Sequence, residues 1–186
     1  SEWSERHIQL PGFDIDVVRK YTKNNPKWVH FGCGNIFRAF PAAVLQELLN
    51  QGAEDVGLIV AEGFDDEIIE KIYRPHDNLS LLVTLKADGS VEKKVIGSVA
   101  ESLLMNKKSV ADAERLCEIF RSPSLQMASF TITEKGYKLQ DAEGNYFPVV
   151  QHDFAAGPKN AESYIGRITA LCYERFLAGK MPIALV

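Results

Sequence analysis

Apolar and polar positions change their period several times along the chain, and each change marks an element. Residues 1–13 are mixed and read as an arm. Behind Asp14, a helix-capping residue type, Ile15, Val18 and Tyr21 recur on one helical face, and Asn24-Asn25-Pro26 closes that segment. Trp28-Val29-His30-Phe31 is a short run of strand formers, followed at once by Gly32-Cys33-Gly34. Beyond the glycines, Ile36, Phe40 and Val44 recur every four residues and Leu45, Leu48 and Leu49 continue the apolar face, which predicts a helix ending near Gly52. Pro41 either delays its start or kinks its first turns. Residues 56–61 are apolar throughout, the mark of a buried strand. Strand, glycine-rich turn, helix and strand make a βαβ unit.

The middle is less regular. Residues 65–72 read as a short helix, and 79–85 and 91–99 as strands. Between the strands lies Ala87-Asp88-Gly89-Ser90, and Asp-Gly is a strong hairpin signal. Ser109 caps the next helix, with Asp112 three residues on in a capping-box-like arrangement. Its apolar face is Ala113, Leu116, Cys117 and Phe120, and 127–133 is a further strand. Residues 138–157 read as loop, with turns at Glu143-Gly144-Asn145 and Gly157-Pro158. A last helix over 161–178 turns Ile165, Ile168, Cys172 and Phe176 inward, with Gly179 as its stop, and 182–186 reads as another buried strand. Ligands of open α/β sheets bind just beyond the carboxyl ends of the strands, so a chain ending on such a strand is expected to be a domain cut from a longer protein. The expected fold is α/β, a doubly wound, mostly parallel sheet with an inserted β-hairpin, in one domain over 1–186.

Composition narrows the field. A chain of 186 residues suits one domain, and 46% hydrophobic with 25% charged residues is ordinary for a globular protein. Twenty-five acids against 21 bases leave a net charge of −4, which argues against a nucleic-acid partner. No apolar run approaches the ~20 residues of a membrane span, and with no basic-then-apolar opening segment no signal peptide is expected. Cys33, Cys117 and Cys172 are far apart, and His7, His30, His76 and His152 are scattered, so neither a disulfide scaffold nor a metal site is expected. The expected setting is a reduced cytoplasm.

Three segments carry candidate chemistry. In Gly32-Cys33-Gly34-Asn35-Ile36-Phe37 the first glycine suits a tight turn and the second lets backbone approach a pyrophosphate, while Phe37 stands where the third glycine of a dinucleotide motif belongs. Arg38 adds a cation near the phosphates. Glu62 closes the next strand, and Asp65 and Asp66 follow; an acid there holds the adenosine ribose, or these acids simply cap the following helix. No base lies among them, which favours NAD over NADP. In Thr131-Ile132-Thr133-Glu134-Lys135-Gly136-Tyr137 a strand runs into a polar turn where a nicotinamide would lie. By chemistry alone Glu134 suits an acid or base and Lys135 a proton donor; an ordinary solvated turn fits as well.

Together the segments from Phe31 to Phe40 and from Thr131 to Tyr137 resemble the mannitol dehydrogenase family, polyol-specific long-chain dehydrogenases that include the fructuronate (mannonate) and tagaturonate (altronate) reductases. The resemblance implies a Rossmann-type NAD domain followed by a mostly helical substrate domain. It also implies a general acid/base lysine, grouped with an asparagine and a histidine, in that second domain and outside these residues. Carried over, Gly32, Gly34, Asn35, Ile36, Phe37 and Arg38 match the cofactor loop, and Thr133 and Glu134 match the turn beside nicotinamide and substrate. Glu134 is then a supporting catalytic residue, and Lys135 takes no catalytic role. The implied cofactor is NAD and the substrate a polyol or sugar acid, fructuronate/mannonate first and fructose/mannitol next. No nucleic-acid or membrane partner is expected. A Rossmann-like enzyme of another chemistry, such as a methyltransferase, and a non-catalytic NAD-sensing domain are the alternatives.

Overall fold

A computed structural model describes residues 2–106 and 108–186; Ser1, the head of the expected arm, lies outside the described residues. The rest of the arm is partly ordered. Helical turn α1 (Glu2–Glu5) leads to strand β1 (Ile8–Gln9), which pairs in parallel with Lys93-Lys94 of a later strand. Helix α2 (Ile15–Asn24) starts where expected, because the Asp14 side chain accepts the Asp16 and Val17 N–H groups. Its inner face differs from the expectation: Thr22 is buried beside Val18 and Tyr21 is exposed. The Thr22 hydroxyl donates to the Val18 carbonyl at 2.7 Å and accepts the Gly57 N–H at 2.6 Å, so a polar residue sits inside at little cost.

Strand β2 (Trp28–Phe31) enters the glycine turn. The helix predicted beyond it is two helices, α3 (Asn35–Ala39) and α4 (Pro41–Asn50), parted at Phe40. Pro41, which lacks an N–H, is tolerated only in a first helical turn and restarts the helix there. The break shifts the helical phase. Phe37, Ala42, Leu45, Gln46 and Leu49 face inward, whereas Ile36, Phe40, Val44 and Leu48, read as the buried row, are exposed. Gln46 fixes α4 by donating to the Val95 carbonyl and accepting the Gly97 N–H, both at 2.6 Å.

Strand β3 (Leu58–Glu62) is buried throughout. The short helix expected next is a π-helical turn over Ile68–Tyr73, continued by a 3-10 turn to His76. Strands β4 (Ser80–Leu85) and β5 (Val91–Ile96) form the hairpin, with Leu85 opposite Val91 and Gly89 at φ 83° in the turn. The single strand expected over 91–99 divides at Gly97-Ser98, and strand β6 (Val99–Leu104) belongs to the other sheet. Helix α5 (Val110–Arg121) takes its cap from Ser109, but Asp112 does not complete a capping box. Its carboxylate instead accepts the Leu104 N–H and pairs with Arg74 at 2.6 Å.

Strand β7 (Met127–Phe130), helical turn α6 (Glu134–Tyr137) and helix α7 (Pro148–Ala156) follow, so part of the expected loop is helical. Helix α8 (Tyr164–Gly179) buries Tyr164, Ile168, Leu171 and Arg175 and leaves Phe176 exposed; Lys180 beyond Gly179 takes the left-handed cap at φ 55°. The closing strand β8 (Ala184–Leu185) is an exposed edge and not a buried strand.

Among the described residues the strands form two sheets: β1-β5-β4 and the parallel β6-β3-β2-β7-β8. Side chains alternate across the parallel sheet. Val29, Phe31, Ile59 and Ala61 pack under α5 and α8 with Leu116, Phe120 and Ile168, while Leu58 and Val60 pack under α2 and α4 with Val18, Leu45 and Leu49. Each such side chain fully removed from water contributes roughly 1.5–3 kcal/mol. The sheet order reverses direction between β2 and β7, and that switch point is where open α/β sheets bind ligands.

Candidate functional site

The two sequence segments singled out above meet at the switch point. Gly32 has φ +100°, a conformation that disfavours side chains, and a Cβ there would lie 2.7 Å from the Thr131 carbonyl oxygen. The turn therefore closes tightly over the end of β7. Gly34 is different. Its φ of −71° suits any residue, and a Cβ there would meet nothing within 4 Å. No packing within the protein requires glycine at 34, so the bare backbone leaves room for a ligand.

Phe37, expected at the cofactor, is fully buried and stacks on His30 at 4.5 Å; its side chain belongs to the core under the turn. Asn35 and Ile36 are exposed on the first turn of α3, whose leading N–H groups lack intrahelical partners. Arg38 donates to the Asn35 side chain and lies 5.9 Å over the Tyr73 ring. The Tyr73 hydroxyl donates to the Cys33 carbonyl at 2.9 Å, so the π-helical turn braces the glycine turn from one side.

Glu62 is 7% exposed and its carboxylate is well occupied. One oxygen accepts the Gly63, Phe64 and Asp65 N–H groups; the other accepts the Cys33 N–H at 3.2 Å and the Cys33 thiol at 3.0 Å. This saturated acid ties the loop after β3 to the glycine turn. Burial, and then the Glu62 charge, push the Cys33 thiol pKa up and leave it an inert packing group. Asp66 is turned away onto Asn106 and Lys108. Asp65 is exposed beside Glu62, free to meet a ligand hydroxyl. Thr133 and Glu134 are exposed at the start of α6, and Lys135 follows them.

Beneath the turn runs a polar chain, buried at His30 and Ser129, that crosses between strands. The Trp28 indole donates to Ser129 Oγ at 2.6 Å, Ser129 Oγ meets His30 Nδ1 at 2.6 Å, and His30 Nε2 meets Thr131 Oγ1 at 2.8 Å. Thr131 Oγ1 donates to the Gly32 carbonyl at 3.3 Å. That last bond uses the threonine's one proton, so Nε2–H is the donor to Thr131 and Nδ1 accepts from Ser129. Burial lowers the His30 pKa to about 4. The unfolded chain, with its ordinary value of 6.5, then binds more protons between the two. Stability is full above 6.5 and falls as the pH drops towards about 4. The melting temperature should fall over that window in the wild type and level out in His30→Gln; an equal slope in both would assign the effect elsewhere.

His30, Tyr73 and Phe64 were not singled out as site residues from sequence. The first two act on the turn through contacts to residues far along the chain, although a histidine within an apolar strand is itself a signal.

A parallel sheet ordered this way, with a glycine turn at its switch point and an acid closing the neighbouring strand, defines a Rossmann-type α/β domain. No protein-family model matches the chain. A D-mannonate oxidoreductase of Thermotoga maritima is 55% identical over 184 residues, which are 99% of this chain and 34% of the relative. A D-mannonate oxidoreductase of Escherichia coli is 31% identical over 157 residues, 80% of this chain and 31% of the relative. The ternary complex of Pseudomonas fluorescens mannitol 2-dehydrogenase with NAD and D-mannitol superposes with a TM-score of 0.77 at 27% identity, covering 96% of this chain and 35% of that one. The chain is similar to the N-terminal part of these oxidoreductases and spans about a third of the length of the curated relatives it matches.

Proposed function

We propose that the chain is the NAD(H)-binding domain of a sugar-acid or polyol dehydrogenase, which moves a hydride between the cofactor and a secondary alcohol or ketone carbon. The observation that carries the reading is the 55% identity to a D-mannonate oxidoreductase over 99% of the chain, which favours the fructuronate/mannonate pair. The likeness to a mannitol 2-dehydrogenase holding NAD and D-mannitol supports the cofactor and keeps fructose/mannitol as the second substrate reading.

The residues fit a dinucleotide, because the open space at Gly34 is a cradle that a Cβ would begin to fill. The backbone of Gly34, Asn35 and Ile36 would hold the pyrophosphate, above the tight turn at Gly32, whose own N–H is spent on the Ala61 carbonyl, with the Arg38 charge beside it. Asp65 accepts a hydroxyl of the adenosine ribose, and the saturated Glu62 adds a fixed negative charge behind it. Thr133 and Glu134 flank the nicotinamide and substrate. When bound, NAD supplies the hydride chemistry, and this chain's part is positioning and electrostatics. Proton transfer falls to the lysine that the family resemblance assigns to a helical domain outside residues 1–186.

Two acids near the ribose repel a 2′-phosphate. NADH should bind at least about tenfold more tightly than NADPH, ~1.4 kcal/mol, and Asp65→Asn should narrow the gap. The same titration, continued with D-fructuronate or D-fructose while NADH absorbance is followed, should show binding without turnover by the 186-residue chain. Equal affinity for the two cofactors overturns the acid assignment, and turnover overturns the division of labour.

A further inference from the structure

Strand β4 is the edge of the smaller sheet, β1-β5-β4. The Lys86 N–H donates to the Ser90 carbonyl across the hairpin at 3.0 Å, and backbone groups alternate along a strand, so the N–H and C=O of Leu81, Val83 and Leu85 point away from β5. The side chains of these three residues share one face, with Val91 opposite Leu85. The other face carries Lys94, which pairs with Glu47 of α4 at 2.6 Å, so that face is turned to the body and the Leu81 row is turned out. All three residues are exposed, Leu85 at 78%. Soluble proteins usually guard such an edge with lysine, proline or a bulge. Residues 80–85 carry no charge and no proline, and the β4–β5 pairing runs without a bulge.

The two halves of the strand differ in shape. The inner half, residues 79–83, lines a groove of about 540 Å³ together with Arg38, Ala39, Ile72 and His76. The outer half belongs to a finger in which every residue from 83 to 92 is exposed. They differ in charge too. In the finger Lys86 pairs with Glu92, which leaves Asp88 as the uncompensated charge; among the described residues its carboxylate accepts only the Ser90 N–H and hydroxyl. The groove holds Arg38, which meets Asn35 and the Tyr73 ring but no carboxylate among the described residues.

We propose that β4 pairs with β4 of a second copy of this chain, antiparallel and about a twofold axis at Val83. That register places Leu81 opposite Leu85 and Val83 opposite itself, so every outward N–H and C=O of one strand meets its counterpart on the other. The apolar rows align on one face and no like charges meet, because Lys86 falls opposite Ser80. The same rotation carries the finger of each copy to the groove of the other, Asp88 towards Arg38. A surface that is both knob and socket fits a copy of itself, as a twofold contact requires. The two three-stranded sheets become one continuous sheet, and neither keeps an open edge at β4.

Sedimentation and light scattering of the 186-residue chain should show its mass doubling from 20.8 kDa as concentration rises. Amide exchange should slow over the same range at Leu81, Val83 and Leu85, whose N–H groups face solvent in the single copy. Val83→Lys sets two ammonium groups face to face at the axis and should give a monomer that melts with dilute wild type, because the side chain is exposed. Val110→Lys, at an exposed apolar residue of α5, should leave the dimer intact. Asp88→Lys should weaken the dimer by at least about tenfold. A chain that stays monomeric up to about 1 mM overturns the proposal and leaves the edge to a different partner. So does a dimer that survives Val83→Lys, or one whose β4 amides exchange as fast at high concentration as at low.

Discussion

Gly34→Val should abolish measurable NADH binding while the protein melts within a few degrees of wild type. The two halves of this expectation have separate causes. In the free protein a Cβ at 34 meets nothing within 4 Å, and φ of −71° is open to any residue. Losing glycine's flexibility in the unfolded chain stabilises by about 0.4–1 kcal/mol. Losing a favourable cap residue at the start of α3 costs a similar amount, so the two roughly cancel. A branched side chain on the bare backbone of the turn, by contrast, fills the space a pyrophosphate needs. A loss of at least a hundredfold, about 2.7 kcal/mol, is expected. Gly32→Val is the contrasting variant. With φ +100° and the Thr131 carbonyl 2.7 Å from the new Cβ, it should lower the melting temperature sharply as well as binding. Calorimetric titration and thermal melts on both variants separate the cases. Unchanged NADH affinity in Gly34→Val, or a large loss of stability there, would sink the assignment of the turn.

The same two glycines show which features were legible in the sequence. Their order after an apolar strand marked the turn, because strand, turn and cap signals are local. Asp14, Ser109 and Asp88-Gly89 are legible for the same reason, each acting on residues only a few positions away. What sequence periodicity misjudged depends on phase or on distant partners. Phe40-Pro41 breaks one apparent helix into two and turns the Ile36, Phe40 and Val44 row outward. Strand β1 has two residues, one exposed, and exists through its pairing with Lys93-Lys94. Strand β6 was missed beyond the single strand read over 91–99, because the chain changes sheets at Gly97-Ser98 and pairing with β3, a distant partner, makes it a strand. Helix α7 did carry a signal, Pro148 at its first position and Gly157 after its end, but its weakly periodic apolar residues obscured it. At the site, Glu62 read as a ribose ligand and is first a tie between two loops. The His30 chain joins residues about a hundred positions apart, beyond any local pattern.

Arg175→Met should destabilise the protein by at least about 3 kcal/mol while leaving NADH affinity of the folded form unchanged. An arginine on a helix reads as a solvated charge, yet Arg175 is 2% exposed. It has no carboxylate partner among the described residues; its guanidinium donates to five carbonyls. They are Phe120 and Ser122 at the end of α5, Leu125 before β7, and Met181 and Pro182 on the approach to β8. The carboxyl end of α5 carries partial negative charge, so it partly compensates the buried cation. Methionine fills much of the volume but leaves those carbonyls without donors, each a desolvated acceptor costing about 1–3 kcal/mol unless water enters. At about 2–4 °C per kcal/mol for a chain this size, the melting temperature should fall by roughly 6–12 °C. Arg175→Lys should recover only part, because an ammonium has three donors and no fixed fork. The injury should also be local. Ala184 and Val186 donate to Gln126 and Ala128 across β7 and β8, and Arg175 anchors the segment just before them. Their amides should exchange with solvent sooner than those of β2 and β3. The cofactor turn lies at the opposite, carboxyl end of the sheet, so its affinity should hold. A stable Arg175→Met protein with protected β8 amides would show that the five carbonyl contacts do not hold this end of the sheet together.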